Sequence, residues 1–242
     1  VRIDLNADVG EAFGAWSLGE DARLIPLVSS VNVACGFHAG DPLVIERTVA
    51  RAVAASVAVG AHPGYPDLAG FGRREMDVAA PELEAAIVYQ VGALAAFARA
   101  AGTELRHVKP HGALYNRAAR DAATAEVVAR AVRRVSAELV LVGLAGSVSL
   151  DAGRARGLAV AAEAFADRAY EPDGSLRPRT MDGAVLDDPE ACARQALAIV
   201  GNPAVDADTL CVHGDRPGAA ERAAAVRGAL ESAGYEIRSP IA

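Results

Sequence analysis

Seven times along this 242-residue chain a short apolar, strand-like run gives way to a helix-like segment. The strand-like runs fall at 2–8, 29–35, 57–61, 105–109, 138–143, 158–164 and 209–213, with a last short run near 235–238. Helical periodicity fills 19–27, 42–55, 81–101, 120–135, 147–156, 188–200 and 217–233. Helix starts are marked by Asp41-Pro42, by Ala80-Pro81 with Glu82, and by Asp188-Pro189 with Glu190; Gly102 and Gly234 mark helix ends. Strands that alternate with helices predict βα units and a mainly parallel sheet. No Ser/Gly linker or composition shift interrupts the pattern, so one domain over 1–242 is expected.

The strand faces decide between an open sheet and a closed one. In the first run Ile3, Leu5 and Ala7 share one face, and Asp4, Asn6 and Asp8 share the other. Glu163, Phe165 and Asp167 likewise alternate with Ala164 and Ala166, and His107, Lys109 and His111 fall on one parity. A central strand of a doubly wound sheet is apolar on both faces. A polar face repeated on several strands instead predicts a seven-stranded parallel β/α barrel, TIM-barrel-like, whose interior carries polar groups toward its mouth. A half-exposed antiparallel strand is the other arrangement that gives such alternation.

All five histidines and the only lysine, Lys109, lie in clusters within or just after these runs. The clusters are 4–11, 34–41, 60–64, 107–112, 163–168 and 212–215. The C-terminal strand ends of a parallel barrel converge on one face, so residues spread over two hundred positions can form one site. That points to an enzyme. Asp8 with Glu11 and Glu163 with Asp167 are candidate bases, metal ligands or orienting groups; singly, each is more often a helix cap or ion-pair partner, and two pairs on converging strand ends shift the balance toward function. His38 and His62 offer acid–base or ligand nitrogens. No His-Glu-x-x-His or His-x-x-x-His pattern occurs, so a metal at Asp8, His38 and His62 rests on convergence alone. Lys109 can hold a carboxylate or phosphate, stabilise an oxyanion, form a Schiff base, or act as a structural partner for a buried carboxylate. Arg73, Arg74, Arg168, Arg177 and Arg179 suit an anionic substrate. The glycines at 36, 40, 60, 64, 70 and 72 are expected in tight strand-to-helix turns, and the long stretch Tyr170–Val185 as a binding loop or surface excursion.

The net charge of -7 argues against nucleic acid or an anionic membrane as partner. The apolar helical stretch Ala85–Ala98 is too short to span a bilayer and contains Gln90. Val1 enters a strand without a charged-then-apolar leader, so a cytoplasmic location is expected. Cys35, Cys192 and Cys211 lack metal-type spacing and are expected as buried free thiols, with Cys35 alone in a polar cluster. Neither a dinucleotide fingerprint nor Gly-x-x-x-x-Gly-Lys-Ser/Thr is present, so any ATP is held without a P-loop.

Taken in order, Asp4-Leu5-Asn6-Ala7-Asp8-Val9-Gly10-Glu11, Asn32 to Pro42, Gly60 to Asp67, Gly70-Phe71-Gly72-Arg73-Arg74, Lys109 to Asn116, Glu163 to Tyr170 and Val212-His213-Gly214-Asp215 resemble the LamB/YcsF family over essentially the whole chain. The resemblance implies a seven-stranded barrel of the glycoside hydrolase/deacetylase type. It also implies ATP-dependent opening of 5-oxoproline to L-glutamate, Mg2+ accompanying ATP, and two companion 5-oxoprolinase subunits of B and C type. On that basis Asp8, Glu11, His38, His62, Lys109, His111, Glu163, Asp167, His213 and Asp215 are the expected catalytic residues. Asn6, Asp41, Arg73, Tyr115, Arg168 and Arg179 are expected to bind substrate. Within this set Lys109 and Arg168 are expected to anchor anionic groups, Asp8 or Glu163 to act as base, and the histidines to transfer protons or orient. Two other functions stay open: a stand-alone metal-dependent deacetylase or amidohydrolase, and a non-catalytic subunit that presents ligand to its partners.

Overall fold

The structure is a computed structural model that describes residues 1–172 and 174–239. Seven strands, β1 (Arg2–Val9), β2 (Ser30–Ala34), β3 (Ala58–His62), β4 (Leu105–Val108), β5 (Val140–Leu144), β6 (Val160–Phe165) and β7 (Thr209–His213), pair in sequence order, all parallel. β1 closes the ring by pairing with β2 on one side and β7 on the other. A short β8 (Glu236–Ile237) joins the start of β1, with Arg2 opposite Glu236. The seven-stranded parallel barrel expected from the strand faces is therefore observed.

Closure explains the alternation. Ile3, Leu5, Ala7 and Val9 face outward with Val31, Val33, Val59, Ala61, Val108, Leu141, Leu210 and Val212, and this is the apolar core against the helices. The opposite parity points into the ring and is polar: Asp4, Asn6, Asp8, Ser30, Asn32, His107, Glu163 and Thr209 are all buried. The closing register sets Asp8 between Asn32 on β2 and His213 on β7, so polar rungs from neighbouring strands meet at one height.

The helices are α1 (Asp21–Leu24), α2 (Pro42–Ala54), α3 (Ala80–Ala100), α4 (Gly112–Arg120), α5 (Ala122–Val135), α6 (Val148–Ala155), α7 (Pro189–Val200) and α8 (Ala219–Ser232). Proline in the first turn and an Asp N-cap start α2 and α7, as their sequences indicate. α4 departs from expectation: the chain turns helical directly after His111, and Asp121 both ends α4 and caps α5 by accepting from the Thr124 amide. Gly112 at φ +54 makes that abrupt turn, and no side-chain cap announces it in the sequence.

α3 also corrects an expectation. Its 21 residues are long and apolar enough to cross a membrane by length and composition. Its buried residues Leu83, Ile87, Val91, Leu94 and Ala98 instead form one stripe within the apolar core, and buried Gln90 exchanges hydrogen bonds with both the N–H and the C=O of Gly64. A core helix uses its apolar face this way.

Gly60 lies inside β3 rather than in a turn. A Cβ there would stand 2.1 Å from Nε2 of His107, so the missing side chain is the space that His107 occupies inside the barrel. A register shift between β3 and β4, at Val59/Gly60, accompanies it.

Candidate active site

The interior is built in rungs. At the floor, Asp4 accepts hydrogen bonds from Ser29, Ser30 and Thr209, yet burial still raises its pKa. Above it, Asn6 donates through Nδ2 to Glu163 Oε1 (2.9 Å) and Thr209 Oγ1 (2.8 Å). Asn32 donates to Asn6 Oδ1 (2.7 Å) and Asp8 Oδ1 (2.8 Å), and its own Oδ1 lies 2.8 Å from His107 Nε2. Because that amide oxygen only accepts, the His107 proton sits on Nε2. Burial, then the neighbouring Lys109 and His62, push the His107 pKa down to about 3.

Lys109 occupies the centre of the next rung. Its ammonium lies 2.8 Å from Glu163 Oε1, 2.9 Å from Asp8 Oδ1, 3.1 Å from Cys211 Sγ and 5.2 Å from the centre of the Phe165 ring. Burial opposes charge on both Lys109 and Asp8. The mutual pairing outweighs it: Asp8, Cys211 and Glu163 hold Lys109 well above its ordinary value, and His62 with Lys109 holds Asp8 well below its own. A structural role as partner for buried carboxylates is therefore part of what Lys109 does. Glu163 Oε2 and the Tyr115 hydroxyl are buried beside this rung without hydrogen bonds, and Tyr115 meets the Phe165 ring edge-on at 5.8 Å.

Two groups surround Lys109. On one side His62 Nε2 lies 3.4 Å from Asp8 and 3.0 Å from His111 Nδ1, while His38 stacks on His111 at 3.8 Å and Glu11 faces both. Burial drives His38 and His111 well below the usual imidazole pKa, and burial with Asp215 and Asp8 raises that of Glu11. On the other side Asp167 accepts from the His213 amide (2.8 Å) and lies 2.9 Å from its Nδ1, leaving Nε2 directed toward Asp8 Oδ2 at 3.9 Å. Burial raises the Asp167 pKa, but His213 more than reverses this. The mouth is charged: Asp215 pairs with Arg73 (2.6 Å) and Arg179 (3.7 Å).

The structure thus brings Asn6, Asp8, Glu11, His38, His62, Lys109, His111, Tyr115, Glu163, Asp167 and His213 together, with Arg73, Arg179 and Asp215 above them. Two expected substrate contacts are employed elsewhere. Asp41 caps α2 through Leu43 and Val44 and also accepts from the Gly14 amide. Arg168 is buried and donates to the carbonyls of Ala184 and Arg177, pinning the loop that follows β6; Arg168 opposite Val185 and Tyr170 opposite Leu176 fold that loop back on itself. Burial lowers the Arg168 pKa to about 10. Arg74 and Arg177 pair with Asp67 and Glu171.

Asn32, His107 and Cys211 are interior residues that the sequence does not single out for the site. Asn32 shares parity with Ser30, so the alternation argument applied to β1 also marks it on β2. His107 stands in a polar cluster but carries no signal that assigns it a role. Cys211, not Cys35, is the thiol at the ammonium: Cys35 Sγ donates to the carbonyl of Val33. The polar cluster around Cys35 points to the wrong thiol, whereas strand parity sets Cys211 with Thr209 and His213 on the inward face of β7.

The sequence model described as the LamB/YcsF family matches residues 3–242. A protein from Chloroflexus aggregans, named as the A subunit of 5-oxoprolinase, is 58% identical over 250 residues, covering 99% of each chain. One of the same name from Heliobacterium modesticaldum is 55% identical, covering 99% of this chain and 98% of the other. The crystal structure of a lactam utilization protein from Thermus thermophilus superposes with TM-score 0.93 at 51% identity, covering 99% of this chain and all of that one.

Proposed function

This chain belongs to the LamB/YcsF family, and from that membership we propose that it is the A-type component of an ATP-dependent 5-oxoprolinase, opening the lactam of 5-oxo-L-proline to L-glutamate. The observation that carries this reading is end-to-end similarity to a protein of that name at 58% identity. Companion subunits of B and C type complete the enzyme, ATP with Mg2+ is bound with or by those partners, and the cytoplasm is its place of work.

The site chemistry suits the reaction. A five-membered lactam is a stable amide, so its hydrolysis is driven by transfer of a phosphoryl group from ATP to the carbonyl oxygen, releasing ADP. Water then adds at the activated carbon, the ring C–N bond breaks, and phosphate departs. His213, held by Asp167 through Nδ1, presents Nε2 as the base that takes the proton from water. Asp8 and Lys109 set the charge behind the reacting carbon. Arg73 and Arg179 supply positive charge at the mouth for the substrate carboxylate and the phosphoryl oxygens.

The test is glutamate release from 5-oxoproline with this chain, its two companions and MgATP, omitting each component in turn. Release that requires all of them is expected. ATP-independent cleavage by this chain alone would replace the reading with a stand-alone metal-dependent amidohydrolase, the alternative favoured by the convergence of Glu11, His38, His62 and His111.

A further inference from the structure

The proton positions in the histidine group conflict with one another. His62 Nδ1 lies 2.7 Å from the carbonyl of Lys109, and His111 Nε2 lies 2.8 Å from the carbonyl of Phe71. Carbonyls only accept, so each of these nitrogens carries the ring proton. The remaining nitrogens, His62 Nε2 and His111 Nδ1, then face each other at 3.0 Å, and in neutral rings each presents a lone pair; His62 Nε2 also faces Asp8 at 3.4 Å, so positive charge is favoured between them. Two such lone pairs repel unless a cation lies with them.

Two further donors have no other use. His38 is fully buried, and neither of its ring nitrogens has a hydrogen-bond partner; Nε2 is directed to Glu11 at 3.8 Å. The ion-pair neighbours of Glu11 are His38 and His111, both at less than 4 Å, with no arginine or lysine among the described residues in that range. One ligand atom from each of the four residues lies within 4.8 Å of every other.

We propose that Glu11, His38, His62 and His111 bind one divalent transition-metal ion of the zinc class. Three imidazoles and one carboxylate select such an ion over magnesium or calcium. Backbone carbonyls on the far nitrogens of His62 and His111 are the outer contacts that fix tautomer and ring orientation in metal-bound histidines. A proton shared by His62 and His111 would relieve their repulsion but leave His38 and Glu11 without a cation. Coordination by all four asks the His38 ring to tilt from its stack on His111; Gly64 and Gly72 pack directly against it, where a Cβ would stand only 2.8 Å from His38. The ion would stand next to Asp8, which touches His62.

The proposal concerns binding by this chain alone, so it stands or falls separately from the oxoprolinase reading. The chelator-stripped chain is titrated with Co2+ and with Zn2+, following visible d–d bands and calorimetric heat. One equivalent of each is expected, with cobalt bands typical of nitrogen and oxygen ligands. Glu11→Gln and His38→Gln should each weaken binding by more than about tenfold, and His213→Gln should leave it unchanged. Circular dichroism establishes that each variant is folded. A folded wild-type chain that takes up neither ion overturns the proposal, as does stoichiometric binding that survives in a folded His62→Gln/His111→Gln variant or is lost in His213→Gln. Ring 15N shifts showing a proton on His62 Nε2 in the presence of saturating Zn2+ would likewise overturn it.

Discussion

The ammonium of Lys109 lies 2.8 Å from the carboxylate of Glu163, joining the end of β4 to β6 across the inside of a closed barrel. Asp8 completes the arrangement from β1 at 2.9 Å. One buried cation thus faces two buried carboxylates, and removing it would leave both without their closest positive partner.

Lys109→Met therefore removes more than a catalytic contact. It leaves Asp8 and Glu163 buried near each other without their cation, at a cost of about 3–5 kcal/mol. Lost glutamate release together with a lower midpoint in urea is expected, and an unchanged midpoint would refute the structural half of this role.

Gly60→Ala tests the shape of the interior. Its new methyl would collide with the His107 ring, so β3 or His107 must move, at a cost of about 1–3 kcal/mol. Gly92→Ala is the control: nothing lies within 4 Å of the added Cβ on α3, and alanine is the better helix former. Thermal unfolding should show the first variant destabilised and the second equal to or above wild type.

His107 sets an acid limit on stability. Its pKa falls from 6.5 to about 3 on folding, so between these values the unfolded chain binds a proton that the folded chain does not. Stability must then rise with pH through that window, and the His107 contribution is lost as pH falls below 6.5, at about 1.4 kcal/mol per pH unit. His107→Gln keeps a donor for Asn32 without titrating. Its stability should decline less steeply than wild type between pH 6.5 and 5, as measured by denaturant unfolding.

Arg168→Ala should loosen the loop it pins. Loss of the donors to Ala184 and Arg177 leaves those carbonyls without their guanidinium. Limited proteolysis should cut faster within 169–186, with the rest of the barrel resistant. An unchanged cleavage rate combined with a large rise in KM would restore direct substrate binding as its role.

Asp167→Asn should lower kcat by about 100-fold or more while leaving KM near wild type, because Asp167 holds His213 through both its amide and its Nδ1. A changed pH profile of kcat should accompany the loss. Wild-type kcat and pH profile in this variant would remove His213 as the base.

Much of the architecture is legible along the chain. The alternation of Asp4, Asn6 and Asp8 with Ile3, Leu5 and Ala7 reports which face is apolar, and a strand buried on both sides with one polar face requires a polar interior. Periodicity is a local property, so strand and helix bounds follow from it to within a few residues. α4 escapes it because Gly112 starts that helix without a capping side chain. Gly60 is misplaced in a turn because a glycine's neighbours in space leave no trace in its sequence neighbours.

The sequence by itself determined the parallel βα order, the polar face and the set of residues able to do chemistry. Tertiary structure alone decided their partners. Whether an arginine meets substrate or a backbone carbonyl, as Arg168 does, depends on which loop folds over it. Whether a thiol touches an ammonium, as Cys211 does and Cys35 does not, depends on the register of β7 against β1. The Lys109–Cys211 contact joins positions 102 residues apart, and the Asp4–Thr209 contact positions 205 apart, so only barrel closure fixes their distances.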